Sequence, residues 1–144
     1  MTYNEWIKYK GLDEDGELIS KYKILTLLPS KQTIKIELES YIEVDRRKPM
    51  YYNVWLSIEH KRKNIENTEG KITGKDGVKS LLWAKKRLIE FEDIVKEDYK
   101  DKEIYICIGW YDNKRRNVYE RGLKNLGYEY KVIFNKKYLI KKIQ

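Results

Sequence analysis

The stretch TIKIELESYIEV, residues 33–44, alternates apolar and polar positions. Ile34, Ile36, Leu38, Ile42 and Val44 fall on one side, and Lys35, Glu37, Glu39, Tyr41 and Glu43 on the other. Period two predicts a strand with one buried and one wet face, as in an antiparallel sheet. LISKYKILTLL, residues 18–28, predicts a strand before it, ended by Pro29 and Ser30. DRRKP makes a turn, and MYYNVWLSIEH then places Tyr52, Val54, Leu56 and Ile58 on one face of a third strand. Upstream, LDEDGEL reads as a hairpin turn, because Asp15-Gly16 supplies the positive backbone angles that a tight turn needs. No bidentate Glu follows Asp13 and Asp15 at the distance a calcium loop requires. The first ten residues, with Trp6 and Tyr9, form a short strand or a helix.

The second half changes period. HKRKNIENTEGKITGKDG is polar and holds Gly70, Gly74 and Gly77, which predicts a long loop with room for a short strand at Lys71–Thr73. A helix follows from Asp76 or Gly77 to about residue 98, with Val78, Leu81, Leu82, Leu88, Ile89 and Val95 at helical spacing. Trp83, Ala84, Phe91 and Ile94 widen the stripe enough to lie flat on a sheet. IYICIG, residues 104–109, is apolar on both faces, the pattern of a central strand covered on both sides by the helices that flank it in sequence, often parallel to a neighbour. Asp112 or Asn113 caps a second helix over 113–126, and Gly127 ends it. Gly122 inside it costs roughly 1 kcal/mol against Ala and permits close packing on the sheet. YEYKVIF, NKK and YLIKKI close the chain as a hairpin. The expectation is one α+β domain over residues 1–144, in the order β-β-β-α-β-α-β-β, with a mixed, mostly antiparallel sheet.

Length and a 41% hydrophobic content fit one domain with a real core. No apolar run approaches the roughly 20 residues that span a bilayer, and MTYNEWIKYKG lacks the apolar core of a signal peptide. With the single Cys107, this predicts a cytoplasmic protein with no membrane association. The net charge of +8 calls for an anionic partner: a cofactor, a nucleic acid or an acidic protein. One His and one Cys provide no metal cluster, and no phosphate-binding loop or dinucleotide fingerprint is present. Carboxylates on strands can hold magnesium, and Asp112 after the buried strand is where a nuclease site of that kind would lie; helix capping accounts for it as well.

The last 45 residues carry a resemblance. IYICIGWYDNKRRNVYERGLKNLGYEYKVIF resembles the strand–helix–strand of GNAT acyltransferases, and the whole order is similar to the back two-thirds of that fold. The resemblance implies a sheet that splays between two neighbouring strands, with the arm of acetyl-CoA in the gap and its pyrophosphate on the N-terminus of the preceding helix. KITGKDGVKSLL offers Lys71, Gly74, Lys75, Gly77 and Lys79 there. Lysine stands first where the family usually has Gln or Arg, and Asp76 occupies a position usually small. The resemblance further implies Tyr119 as the acid for the leaving thiolate, Asn117 as a hydrogen-bonding partner of the cofactor arm, and Glu59 or His60 as the base. It implies either acetyl transfer from acetyl-CoA to an amine or a degenerate, non-catalytic version.

Two other readings stand beside it. In the first, the protein binds nucleic acid: Lys114, Arg115 and Arg116 cluster at a loop–helix junction, and Arg46-Arg47-Lys48 and Lys61-Arg62-Lys63 mark other turns. Tyr51, Trp55 and Trp110 are the candidates for stacking on single-strand bases. In the second, the chain is a small phage or mobile-element factor that docks on a host protein, with its aromatics as anchors.

Overall fold

A computed structural model describes residues 3–29, 31–45, 47–59, 74–109, 121–133 and 135–144, and of residues 58–59 and 74–78 the backbone alone. Seven strands form one sheet: β1 (Ile7–Leu12), β2 (Leu18–Leu27), β3 (Thr33–Tyr41), β4 (Met50–Glu59), β5 (Ile104–Ile108), β6 (Glu129–Ile133) and β7 (Lys136–Lys142). Their spatial order is β1-β2-β3-β4-β5-β7-β6, and β4 and β5 run parallel while the other neighbours run antiparallel. The helix α1 (Gly74–Asp98) follows β4 in sequence and precedes β5. Residues 121–123 are helical and run into a 3-10 turn, Lys124–Leu126, which Gly127 ends at φ 94°.

The hairpin from β1 to β2 shows why the turn chemistry was readable. Asp13 Oδ1 accepts the backbone N–H groups of Asp15 and Glu17 at 3.0 and 2.8 Å, and Gly16 takes a φ of 80° that only glycine adopts at low cost.

Alternation in β3 is as the sequence implies, with Ile34, Ile36 and Leu38 buried. They lie under α1, which lays down Ala84, Leu88, Phe91 and Val95 at intervals of three and four residues. Phe91 is the centre of this layer. Its ring meets the edges or faces of Tyr22 and Tyr52 at 5.1 Å each, and Trp6 stands 6.1 Å away. Polar groups tie the N-terminal segment to the same helix: Trp6 Nε1 donates to Glu90 at 3.1 Å, and Lys8 pairs with Asp98 at 3.0 Å.

Several expectations are corrected. The order gains a strand at its start, β1, because the ambiguous N-terminal segment is an edge strand, almost wholly exposed. Burial does not select its residues by face, so IKYKGL carries no clear apolar alternation. β3 stops at Tyr41, and Val44, assigned to its buried face, is fully exposed beyond it. α1 begins at Gly74, two residues before Asp76, so Gly74 and Gly77 lie in its first turn rather than in a loop.

Among the described residues, no helix lies on the second face of IYICI. A Cβ added at Gly122 would lie 3.5 Å from Leu81 of α1, and Leu123 joins the core of Ala84 and Leu88. The described part of the second helix therefore lies on the same face as α1. β5 is interior within the sheet, between β4 and β7, with Ile104, Ile106 and Ile108 in the core beneath the helices. Tyr105 and Cys107 point to the other face, where no helix lies among the described residues.

Replacing Phe91 by Ala removes a wholly buried ring from three aromatic neighbours and should cost roughly 3–5 kcal/mol of unfolding free energy. Urea denaturation measures it; a loss below about 1 kcal/mol would show that the core does not centre on this ring.

Candidate ligand cleft

β4 keeps its ladder with β3 out to Glu59, opposite Thr33. Its ladder with β5 holds only from Met50–Ile104 to Asn53–Cys107. Beyond that point Val54 and Ile108 line a cleft of about 320 Å³ instead of pairing. The cleft is where the only parallel pair among the described strands opens.

Its walls come from both faces of the sheet. On the helix face stand Val54, Leu56 and Ile108, closed over by Leu81, Ala84, Leu88 and Leu123. On the other face stand Asn53, Trp55, Cys107 and Tyr138, with Gly109 beyond the end of β5. The opening therefore passes through the sheet at the point where the strands separate. A largely apolar wall with few polar groups is the usual make-up of a small-molecule site.

Among the described residues, the charged lining residues are two lysines. Lys85 comes from α1, and Lys136 lies with its Nζ 5.4 Å from the centre of the Tyr138 ring. Neither forms an ion pair among the described residues, so the cleft carries uncompensated positive charge and favours an anion. Cys107 is 3% exposed, and burial pushes its thiol up to about 12. It is a neutral wall group at physiological pH and not a nucleophile.

The residues that sequence reasoning singled out divide into three groups. Gly74, Lys75 and Gly77 form the first turn of α1, whose leading N–H groups have no intrahelical acceptor. Leu81, the first cleft residue of α1, follows Gly74 by seven positions, roughly 10 Å along the axis. Glu59 is the last residue of β4, on the strand that forms one wall. Lys71, Asn117, Tyr119, His60, Asp112, Trp110 and the cluster Lys114, Arg115 and Arg116 lie outside the described residues.

Sequence reasoning missed Asn53, Lys85, Cys107 and Lys136 as cleft residues. The available signal was the run Cys107-Ile108-Gly109: small side chains at the end of a buried strand leave room that bulkier ones would fill. Among the described residues no group of three metal-ligating side chains gathers, and no helix is long and apolar enough to cross a membrane.

Burial also raises Tyr128, whose hydroxyl has no hydrogen-bond partner among the described residues, together with Tyr22 and Tyr52. These shifts have a definite sign. From pH 9 to about 12 the unfolded chain loses the Cys107 proton while the folded chain keeps it. Folding then binds protons, so stability must fall as pH rises through that window, with the tyrosines adding in the same direction above pH 10. Urea midpoints should drop between pH 8 and 10.5, less steeply in Cys107→Ala. The thiol should react with an alkylating reagent at least tenfold more slowly in the folded protein than in urea at pH 8; equal rates would refute its burial.

Comparison with protein-family models, with curated proteins and with solved structures finds no match to this chain.

Proposed function

We propose that the cleft holds the arm of an acetyl-CoA-type cofactor, and that the chain is a GNAT-like N-acyltransferase-fold protein. In this reading it moves an acetyl group to an amine or, in a non-catalytic version, binds the cofactor without turnover. The observation that carries the proposal is the opening of the parallel β4–β5 pair after Asn53 and Cys107 into a positive, mostly apolar crevice.

The chemistry of such an arm suits that opening. From Val54 onward the edge of β4 that faces β5 has no strand partner among the described residues. Its N–H and C=O groups need acceptors and donors. A slender ligand that carries amides can lie along this edge as an added strand does, while its methylene and methyl groups meet Val54, Leu56 and Leu81. The first turn of α1 provides free N–H groups for a pyrophosphate, with Lys75 adding charge and Asp76 opposing it.

The resemblance supplies the remaining roles. Glu59 takes the proton of the attacking amine, nitrogen bonds to the thioester carbonyl carbon, and the carbon–sulfur bond breaks. Tyr119 then protonates the departing thiolate. Asn117 and Lys71 hold the arm and its phosphates.

Thermal melting with acetyl-CoA tests the reading. At a ligand concentration a hundredfold above Kd, native-state binding adds about 2.7 kcal/mol and raises the midpoint by several degrees. Acetyl-CoA should also slow alkylation of Cys107 in the cleft wall. A flat melting response at millimolar cofactor, with Cys107 labelling unchanged, would overturn the proposal. Stabilisation without acetyl transfer to any amine identifies the non-catalytic version.

A further inference from the structure

We infer that the sheet face opposite the helices is a binding platform for single-stranded nucleic acid, bordering the cleft, whose wall shares Trp55, Tyr138 and Lys136 with it. Alternation and register place Tyr9, Tyr41, Tyr51, Trp55, Tyr105 and Tyr138 on this face. The β3–β4 register, continued by two residues beyond Glu39–Asn53, sets Tyr41 opposite Tyr51, and Tyr51 pairs with Tyr105. Three tyrosines thus form a row across three adjacent strands, which lie about 4.8 Å apart. The Tyr51 and Tyr105 rings are stacked, 5.0 Å between centroids and 17° from parallel. Tyr41 is 59% exposed and Trp55, two positions beyond Asn53 on β4, is 41% exposed. No helix covers these rings among the described residues.

Charge selects the partner. In the strands, this face carries Lys21, Lys23, Lys35, Lys131, Lys136 and Lys142 against Glu37, Glu39 and Glu129 among the described side chains. Lys35 holds Glu37 at 3.2 Å and Lys21 holds Glu39 at 3.6 Å, which neutralises both acids. Glu103, just before β5, is held by the Tyr105 hydroxyl and by Lys142. Lys23, Lys131 and Lys136 have no ion pair among the described residues. Protein-interface cores are depleted in lysine, whereas aromatic rings interleaved with free lysines match unpaired bases joined by phosphates. A ring that must stack on a base favours a single strand over a duplex, whose bases are already stacked on one another.

Fluorescence anisotropy with labelled 15-nucleotide oligo-U and oligo-dT, and with a duplex of the same length, tests this across 50–200 mM salt. The single strands should bind at least tenfold more tightly than the duplex. Trp55→Ala and Tyr41→Ala should each weaken binding, by roughly five- to 150-fold for a stacked base, and Tyr41→Ala, whose side chain is 59% exposed, should leave the melting temperature unchanged. Lys23→Gln should lower the slope of log K against log salt by about one, across all sequences. Leu82→Ala, exposed on α1 and away from this face, should change nothing. Equal binding of duplex and single strand, or full affinity in Trp55→Ala, would reduce the face to surface charge and overturn the inference. So would an absence of binding at 50 mM salt; if the chain then self-associates and Trp55→Arg dissolves the dimer, the face belongs to a second copy.

Discussion

Parallel neighbours in a sheet cannot be joined by a tight turn, and the chain must cross one face to return. β4 and β5 are such a pair, and α1 lies between them in sequence. Burial of Phe91 against Tyr22 and Tyr52 fixes that crossover on the sheet, because the two tyrosines come from β2 and β4 and meet on one helix ring. The hydroxyls of those tyrosines are satisfied in turn, Tyr22 donating to Asp98 at 2.8 Å and Tyr52 to Ser20 at 2.9 Å. Apolar ring and polar rim thereby hold the same helix, and the partly buried Asp98 links it to β1 through Lys8.

The same arrangement that closes the core opens the cleft. β4 follows β3 to its end, whereas its pairing with β5 ends at Asn53. Beyond the four paired positions no further β4–β5 pairing occurs among the described residues, and α1 lies over the cleft there. Small groups at Cys107 and Gly109 on the strand side and Ala84 and Gly122 on the helix side leave that gap unfilled. Its two lysines give it a sign, and that combination of an open ladder, apolar walls and positive charge is what makes a slim anionic ligand a sensible occupant.

The two faces of the sheet are built on different principles. The helix face buries aliphatic and aromatic side chains nearly completely. On the opposite face, Lys21, Lys35, Glu37 and Glu39 lie along the strands in ion pairs, partly buried, Lys35 most of all. Between them stand rings that are neither buried nor scattered singly. The charge on which the platform depends comes instead from Lys23, Lys131 and Lys136, which have no ion pair among the described residues.

Much of the fold was legible because burial leaves a periodic mark. Ile34, Ile36 and Leu38 announced β3, Ala84, Leu88, Phe91 and Val95 announced α1, Asp13 to Gly16 announced the hairpin, and Gly127 the end of the second helix. β1 left no such mark because neither of its faces is buried, and Val44 misled because alternation outlasts the strand that needs it. Of the candidate site, the first turn of α1 and the end of β4 could be anticipated from glycines and strand length. Lys85, Lys136, Asn53 and Cys107 could not, since they come from three strands and a helix and meet only where a ladder opens. By itself the sequence determined that β2 to β5 are strands, that α1 is a helix and that the chain closes as a hairpin, because each of those segments' own period reports its burial. Only the tertiary structure decided that the described part of the second helix shares a face with α1, that the β4–β5 ladder ends at Asn53, and that no helix among the described residues lies on the opposite face, because strand order and helix side are settled by contacts between residues far apart in the chain.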